Sequence, residues 1–144
     1  MIILLDGGPL GLISNPKAAE AGFECREWMK ALIAGGAWIC LPEIIDYELR
    51  RELLRANKAQ GLSRLDLLKG SLPYLPITTP IMLKAAELWA DVRRRGMPTA
   101  DPKALDCDVI LAAQALVVNG IVATENVAHL SRLVRAKHWR DIER

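Results

Sequence analysis

The 144-residue sequence contains only two histidines, His129 and His138, and only three cysteines, Cys25, Cys40 and Cys107. Two histidines cannot build a histidine-rich zinc site, and they leave a serine or cysteine triad with few candidate bases. The cysteines are odd in number, widely separated and without paired spacing, which suits buried free thiols in a reducing, cytoplasmic compartment better than a disulfide frame or zinc site. An excess of one charge sign is also missing. Charged residues make up 25% of the chain but the formal net charge is +2, so a polyanion partner would have to be met by a local patch. The opening "MIILLDGG" reaches an aspartate at once and lacks a basic leader. It is too short for a signal peptide or membrane span, and no membrane association is expected. Repeats and low-complexity tracts are absent.

What is present is a hydrophobic fraction of 51%, enough to close one core, so a single domain over residues 1–144 is expected. Ile2 to Leu5 reads as a buried strand that runs into a tight turn at "DGGP". Asn15 and Pro16 read as the start of a helix that continues to about Ile33. "AWICL" reads as a second strand, and Pro42 opens a helix through "EIIDYELRRELLRAN". Leu62 to Leu72 forms a further amphipathic helix, "YLPIT" an extended piece, and Thr79 with Pro80 starts a helix that stops at Gly96. "GMPTADPKA" is expected to be a loop. The helix "ALDCDVILAAQALVVN" then ends at Gly120, before a strand "IVATEN", a short helix near His129 to Val134 and a strand around Trp139 to Ile142. Strands alternating with helices imply an α/β fold whose largely parallel sheet is covered on both faces and binds ligands at the strands' carboxyl ends.

Asp6, Glu48, Asp106, Asp108, Glu125 and Asn126 all stand at strand ends or helix starts, and they come from four regions that can converge on one edge. Each also has a plain structural reading: turn former for Asp6, solvated helix residue for Glu48, N-cap for Asp106, turn residue for Asn126. Glu48, however, lies among apolar positions, one turn after Ile44, which turns its carboxylate towards the sheet. Three carboxylates within roughly 4 Å repel by about 4 kcal/mol per pair at an effective dielectric near 20, so such a cluster needs a proton or a cation. Hard oxygen donors suit Mg²⁺ or Mn²⁺ far better than zinc. Residues two apart on a helix point about 200° away from each other. Asp108 is therefore assigned as the ligand and Asp106 as a helix cap or a more distant ligand, linked through water or at a second metal. If the helix starts at Asp101 and Pro102, Asp106 falls in its first turns instead.

These residues carry a family resemblance. "IILLDGGPLGLI" with Asp6, "LPEIIDYELRREL" with Glu48, "DCDVILAAQAL" with Asp108 and "GIVATENVAHL" with Thr124 and Asn126 together resemble a PIN domain, the nuclease fold that includes the VapC-type toxins of toxin–antitoxin pairs. The resemblance spans essentially the whole chain. It implies a three-layer α/β/α fold with a mainly parallel central sheet. Asp6, Glu48, Asp108 and Asn126 would surround Mg²⁺ or Mn²⁺, with Thr124 in support, and hydrolyse RNA. Two departures stand out: "GGP" after Asp6 offers no small polar side chain, and Asn126 stands where an aspartate is frequent, which lowers the site's negative charge.

The chemistry expected is metal-dependent endoribonuclease action, in the setting of a toxin held by an antitoxin partner. The alternative is a non-catalytic PIN-fold module that binds RNA or protein. A homodimer is expected from the abundance of apolar helix surface in a small chain. Arg50, Arg51, Arg55 and Lys58 share one helix, Arg93 to Arg95 end another, and Arg132, Arg135, Lys137, His138 and Arg140 crowd the last segment. They read first as solvated faces, and those bordering the acidic site as phosphate contacts. Trp28, Trp38, Trp89 and Trp139 read as core or dimer contacts rather than base-stacking platforms, and His129 as a packing residue.

Overall fold

The computed structural model describes residues 1–96 and 102–143. Short apolar runs become the strands β1 (Ile2–Leu5), β2 (Trp38–Pro42), β3 (Tyr74–Leu75), β4 (Ile121–Thr124) and β5 (Ala136–His138). They pair in parallel in the order β3-β2-β1-β4-β5. In the central strand, Ile3 lies opposite Ile39 on one side and Ile121 on the other. Ile3, Leu4 and Leu5 point alternately to opposite faces, and all three are fully buried, so helices cover the sheet on both sides. From β1 the chain moves outward to β2 and β3, then returns to add β4 and β5 on the other flank. The order therefore reverses between β1 and β4. In an open parallel sheet, the crevice beyond the carboxyl ends of two such strands is where ligands bind.

The connecting helices are α1 (Gly7–Ser14), α2 (Ala19–Ala34), α3 (Glu43–Arg55), α4 (Ala59–Ser71), α5 (Thr79–Arg94), α6 (Pro102–Val117) and α7 (Val127–Leu130), followed by a 3-10 turn at Trp139–Asp141. The main core joins the sheet to Leu10 and Ile13, Cys25 and Met29, Ile44 and Ile45, Leu65, and Leu111 and Ala112. A second cluster, in which Ala113 meets Ile81, Ala85 and Val92, glues α5 to α6. Of the two alanines, Ala112 brings α6 close to the sheet, whereas Ala113 serves the α5 contact. Gln114, fully buried, donates its side-chain amide to the Leu75 carbonyl at 2.8 Å and ties the short edge strand β3 to α6.

Several expectations change. The stretch after Asp6 is a helix and not a tight turn: Asp6 caps it, and Pro9 falls in the first turn, where a missing N–H costs nothing. Asn15 consequently ends α1 rather than opening the next helix, which begins at Ala19. The last strand lies at Ala136–His138, and the expected strand from Trp139 onward is instead the 3-10 turn, because Trp139 packs into the core against Trp28 with ring centroids 5.6 Å apart. Trp38 and Trp89 are at the surface, 63% and 41% exposed. α6 begins at Pro102, so Asp106 lies within the helix and is not its cap. Most of the expected loop "GMPTADPKA", residues 97–101 with Asp101, lies outside the described residues. No helix among the described residues is long and apolar enough to cross a membrane.

Gly120, between α6 and β4, leaves no room for a side chain. A Cβ there would stand 2.5 Å from Leu4 Cδ1 and 3.3 Å from the Ile2 carbonyl oxygen. Gly120→Ala is expected to destabilise the fold by about 2 kcal/mol through overpacking, read as a lower urea midpoint with unchanged slope.

Candidate functional site

Asp6 leaves the end of β1 with its backbone still in the sheet, its N–H donating to the Ala123 carbonyl at 3.0 Å. One carboxylate oxygen accepts the Gly7 N–H at 2.7 Å and the other accepts the Thr124 hydroxyl, also at 2.7 Å. Thr124 is the last residue of β4 and is fully buried, and its hydroxyl oxygen accepts the Asn126 N–H at 2.8 Å. The carboxylate is thus clamped across the β1–β4 crevice from both ends. Each of its oxygens keeps a lone pair that these bonds do not use.

Glu48 on α3 and Asp108 on α6 lie near enough to Asp6 to feel its charge. Both are partly buried. Burial, followed by the charges of Asp6 and Glu48, pushes the Asp108 carboxyl up to about 6. Glu48 is raised for the same two reasons, burial first and the Asp6 charge second, while Arg51 and the Cys107 thiol work in the opposite direction. Glu48 and Asp108 therefore both feel the charge of Asp6, and Asp108 that of Glu48, in a setting where water screens them poorly. As the pH falls, Asp108 takes up a proton far earlier than an ordinary aspartate does.

The other candidate residues divide. Asn126 caps α7 and is exposed, and it is joined to the cluster by its backbone N–H. Asp106 is exposed on the α5 side of α6, where it lines a groove with Met82, Trp89 and Ile110; it is not among the groups that shift Asp108. Glu125 accepts the Trp139 indole N–H at 3.2 Å and lies over Gly8, where a Cβ would come within 3.1 Å of its Cγ. It acts as a buttress. Cys107, read from the sequence as a buried thiol and no more, is placed beside Glu48. Its position next to Asp108 in the chain was the available signal, but which side of α6 meets α3 is decided by packing. Of the basic residues, Arg50 pairs with Asp46 at 2.9 Å and Asp66 at 2.8 Å, Arg55 with Glu52, Arg95 with Asp91, and Arg140 with Glu24. Many of the charges read as solvated faces are therefore neutralised locally.

Among the described residues, no group of three or more His, Cys, Asp and Glu side chains is placed to hold a metal ion. The donor chemistry is nevertheless that of a hard divalent cation: carboxylate oxygens, crowded enough to raise Glu48 and Asp108, around an Asp6 held in a fixed orientation. A doubly positive ion would relieve that crowding without requiring a proton.

A PIN domain family model matches residues 19–136, and the chain belongs to this family. The match includes Glu48, Asp108, Thr124 and Asn126, while Asp6 lies ahead of it. Among solved structures, the chain is similar to VapBC2 from Rickettsia felis bound to a DNA fragment from their promoter, at 20% identity and TM-score 0.76, covering 96% of this chain and 99% of that one. VapBC-1 from nontypeable Haemophilus influenzae matches at 19% identity and TM-score 0.73 over 98% and 100% of the two chains. FitAcB from Neisseria gonorrhoeae matches at 21% and 0.71 over 97% and 99%. No curated protein matches the chain.

Because folding raises the Asp108 carboxyl from 3.8 to about 6, the native state binds the proton more tightly than the unfolded chain, and stability falls as pH rises through that window. Asp108→Asn is expected to stabilise the metal-free fold at pH 7.5 by about 1–2 kcal/mol, after allowance for the group's partial exposure. The gain should vanish near pH 4, as checked by urea titrations at both pH values. Thr124→Val removes the hydroxyl that serves Asp6 and the Asn126 N–H, and it should cost about 1–3 kcal/mol in the same titration.

Proposed function

We propose that this chain is a Mg²⁺- or Mn²⁺-dependent endoribonuclease, with Asp6, Glu48 and Asp108 as the ion-holding carboxylates and Asn126 at their margin. What supports the reading is that Glu48 on α3 and Asp108 on α6 both feel the charge of Asp6, which stands at the end of β1 where the strand order reverses, and that Asp108 is pushed up to about 6. Membership of the PIN family supports nuclease chemistry. A divalent ion held there supplies Lewis-acid stabilisation of the charge that builds on phosphoryl oxygens. The chain's own contribution is orientation and low dielectric. Thr124 and the Gly7 amide fix the Asp6 carboxylate, the packing of α3 and α6 keeps Glu48 and Asp108 from retreating into water, and Asn126 offers an amide in place of a fourth negative charge. Asp106, on the other side of α6, is left as a distant outer group.

A toxin role with an antitoxin partner is supported by the likeness to VapBC and FitAcB structures. A homodimer is supported by the apolar α5–α6 groove, where Met82 and Trp89 remain 47% and 41% exposed. The three free, buried cysteines fit a reducing cytoplasm.

Incubation of purified protein with single-stranded RNA is expected to give cleavage that requires Mg²⁺ or Mn²⁺, stops with EDTA and falls at least about a hundredfold in Asp6→Asn and Asp108→Asn. RNA bound with equal affinity by wild type and variants, without cleavage under either metal, would replace the nuclease reading with the binding-module one.

A further inference from the structure

We infer that Arg51, held over the Tyr47 ring at the lip of the acidic crevice, is the residue through which this site grips the phosphate backbone of its nucleic-acid substrate. The inference rests on the nuclease reading and adds to it the element that admits a polyanion to a cluster of carboxylates. A strand approaching Asp6, Glu48 and Asp108 meets their charge first, and a fixed cation at the rim offsets that repulsion.

Arg51 has the position and the freedom to do this. It lies one turn after Glu48 on α3, so the two side chains are neighbours on the helix surface. Its charge is felt by Glu48 and by Cys107 across the gap to α6. Its guanidinium carbon lies 5.0 Å from the centroid of the Tyr47 ring. Tyr47 restrains the guanidinium by this stacking and by a side-chain hydrogen bond, a neutral partner that takes none of its charge and leaves further N–H groups for phosphate oxygens. The neighbouring arginines of α3 are already committed: Arg50 to Asp46 and Asp66, and Arg55 to Glu52. Among the described residues, Arg51 makes no such pair with a carboxylate. Tyr47 is itself 53% exposed, a large ring left at the surface beside the site, where this stacking gives it a role. Tyr47 is a positioning residue; Arg51 is the one that touches substrate.

The test uses the full chain and a short fluorescein-labelled single-stranded RNA of mixed sequence. Binding is read by anisotropy in EDTA on the Asp108→Asn protein, and cleavage with Mg²⁺ on the otherwise wild-type protein. Arg51→Gln should weaken binding about tenfold and reduce the slope of log K against log salt by about one. In turnover the loss should fall on KM and not on kcat. Tyr47→Leu, which keeps the charge but removes the ring, should give a smaller loss with the salt slope unchanged. Arg55→Gln, on the same helix and tied to Glu52, should match its parent in both assays. If RNA is bound and cleaved but Arg51→Gln behaves like Arg55→Gln, this inference is overturned and the nuclease reading stands. If the parent proteins neither bind nor cleave RNA, both fall together.

Discussion

The crevice depends on one clamp, the Asp6 carboxylate stretched between the Gly7 amide and the Thr124 hydroxyl. Those two bonds, each 2.7 Å, do three jobs at once. They start α1 by satisfying one of its free N–H groups, they join the ends of β1 and β4, and they hold an acid in one orientation at the place where the sheet opens. Thr124 passes the constraint on to Asn126 through a third bond. With this clamp in place, a helix from each of two other parts of the chain can bring its own carboxylate to a fixed point.

That convergence opposes folding. Glu48 and Asp108 are both raised by burial and by the charge of their neighbours, so the folded chain holds them against their preference for water. The apolar layers tolerate this cost. Ile3, Leu4 and Leu5 are sealed from solvent, and Ala112 and Ala113 let α6 approach both the sheet and α5. The result is a cluster less stable than an apolar one of the same shape.

Much of this could be read in the sequence. Apolar runs ended by a polar residue gave β1 with Asp6 and β4 with Thr124, and the helical spacing around Ile44 turned Glu48 inward, because burial patterns repeat with the geometry of the backbone. The reading failed where two local signals compete. "GGP" after Asp6 looks like a turn by composition, yet a good cap and a proline in the first turn make it a helix. Trp139 looks like strand by type, but its indole is drawn into the core by Trp28 and Glu125, and the strand forms in the less apolar "AKH" before it.

The sequence by itself determined which residue types were available: oxygen acids spaced over four segments, too few histidines for zinc chemistry, and apolar stretches of the length and continuity that a covered parallel sheet requires. Tertiary structure alone decided which of them meet. It placed Asp108 in the crevice and Asp106 on the far side of the same helix, consumed Arg50 and Arg55 in ion pairs while leaving Arg51 on a tyrosine ring, and set Cys107 against Glu48. The physical reason is one of range. Periodicity and capping act over a single turn or strand and are written in neighbouring residues, whereas the charge felt at a carboxylate depends on groups a hundred positions away, brought near only by packing.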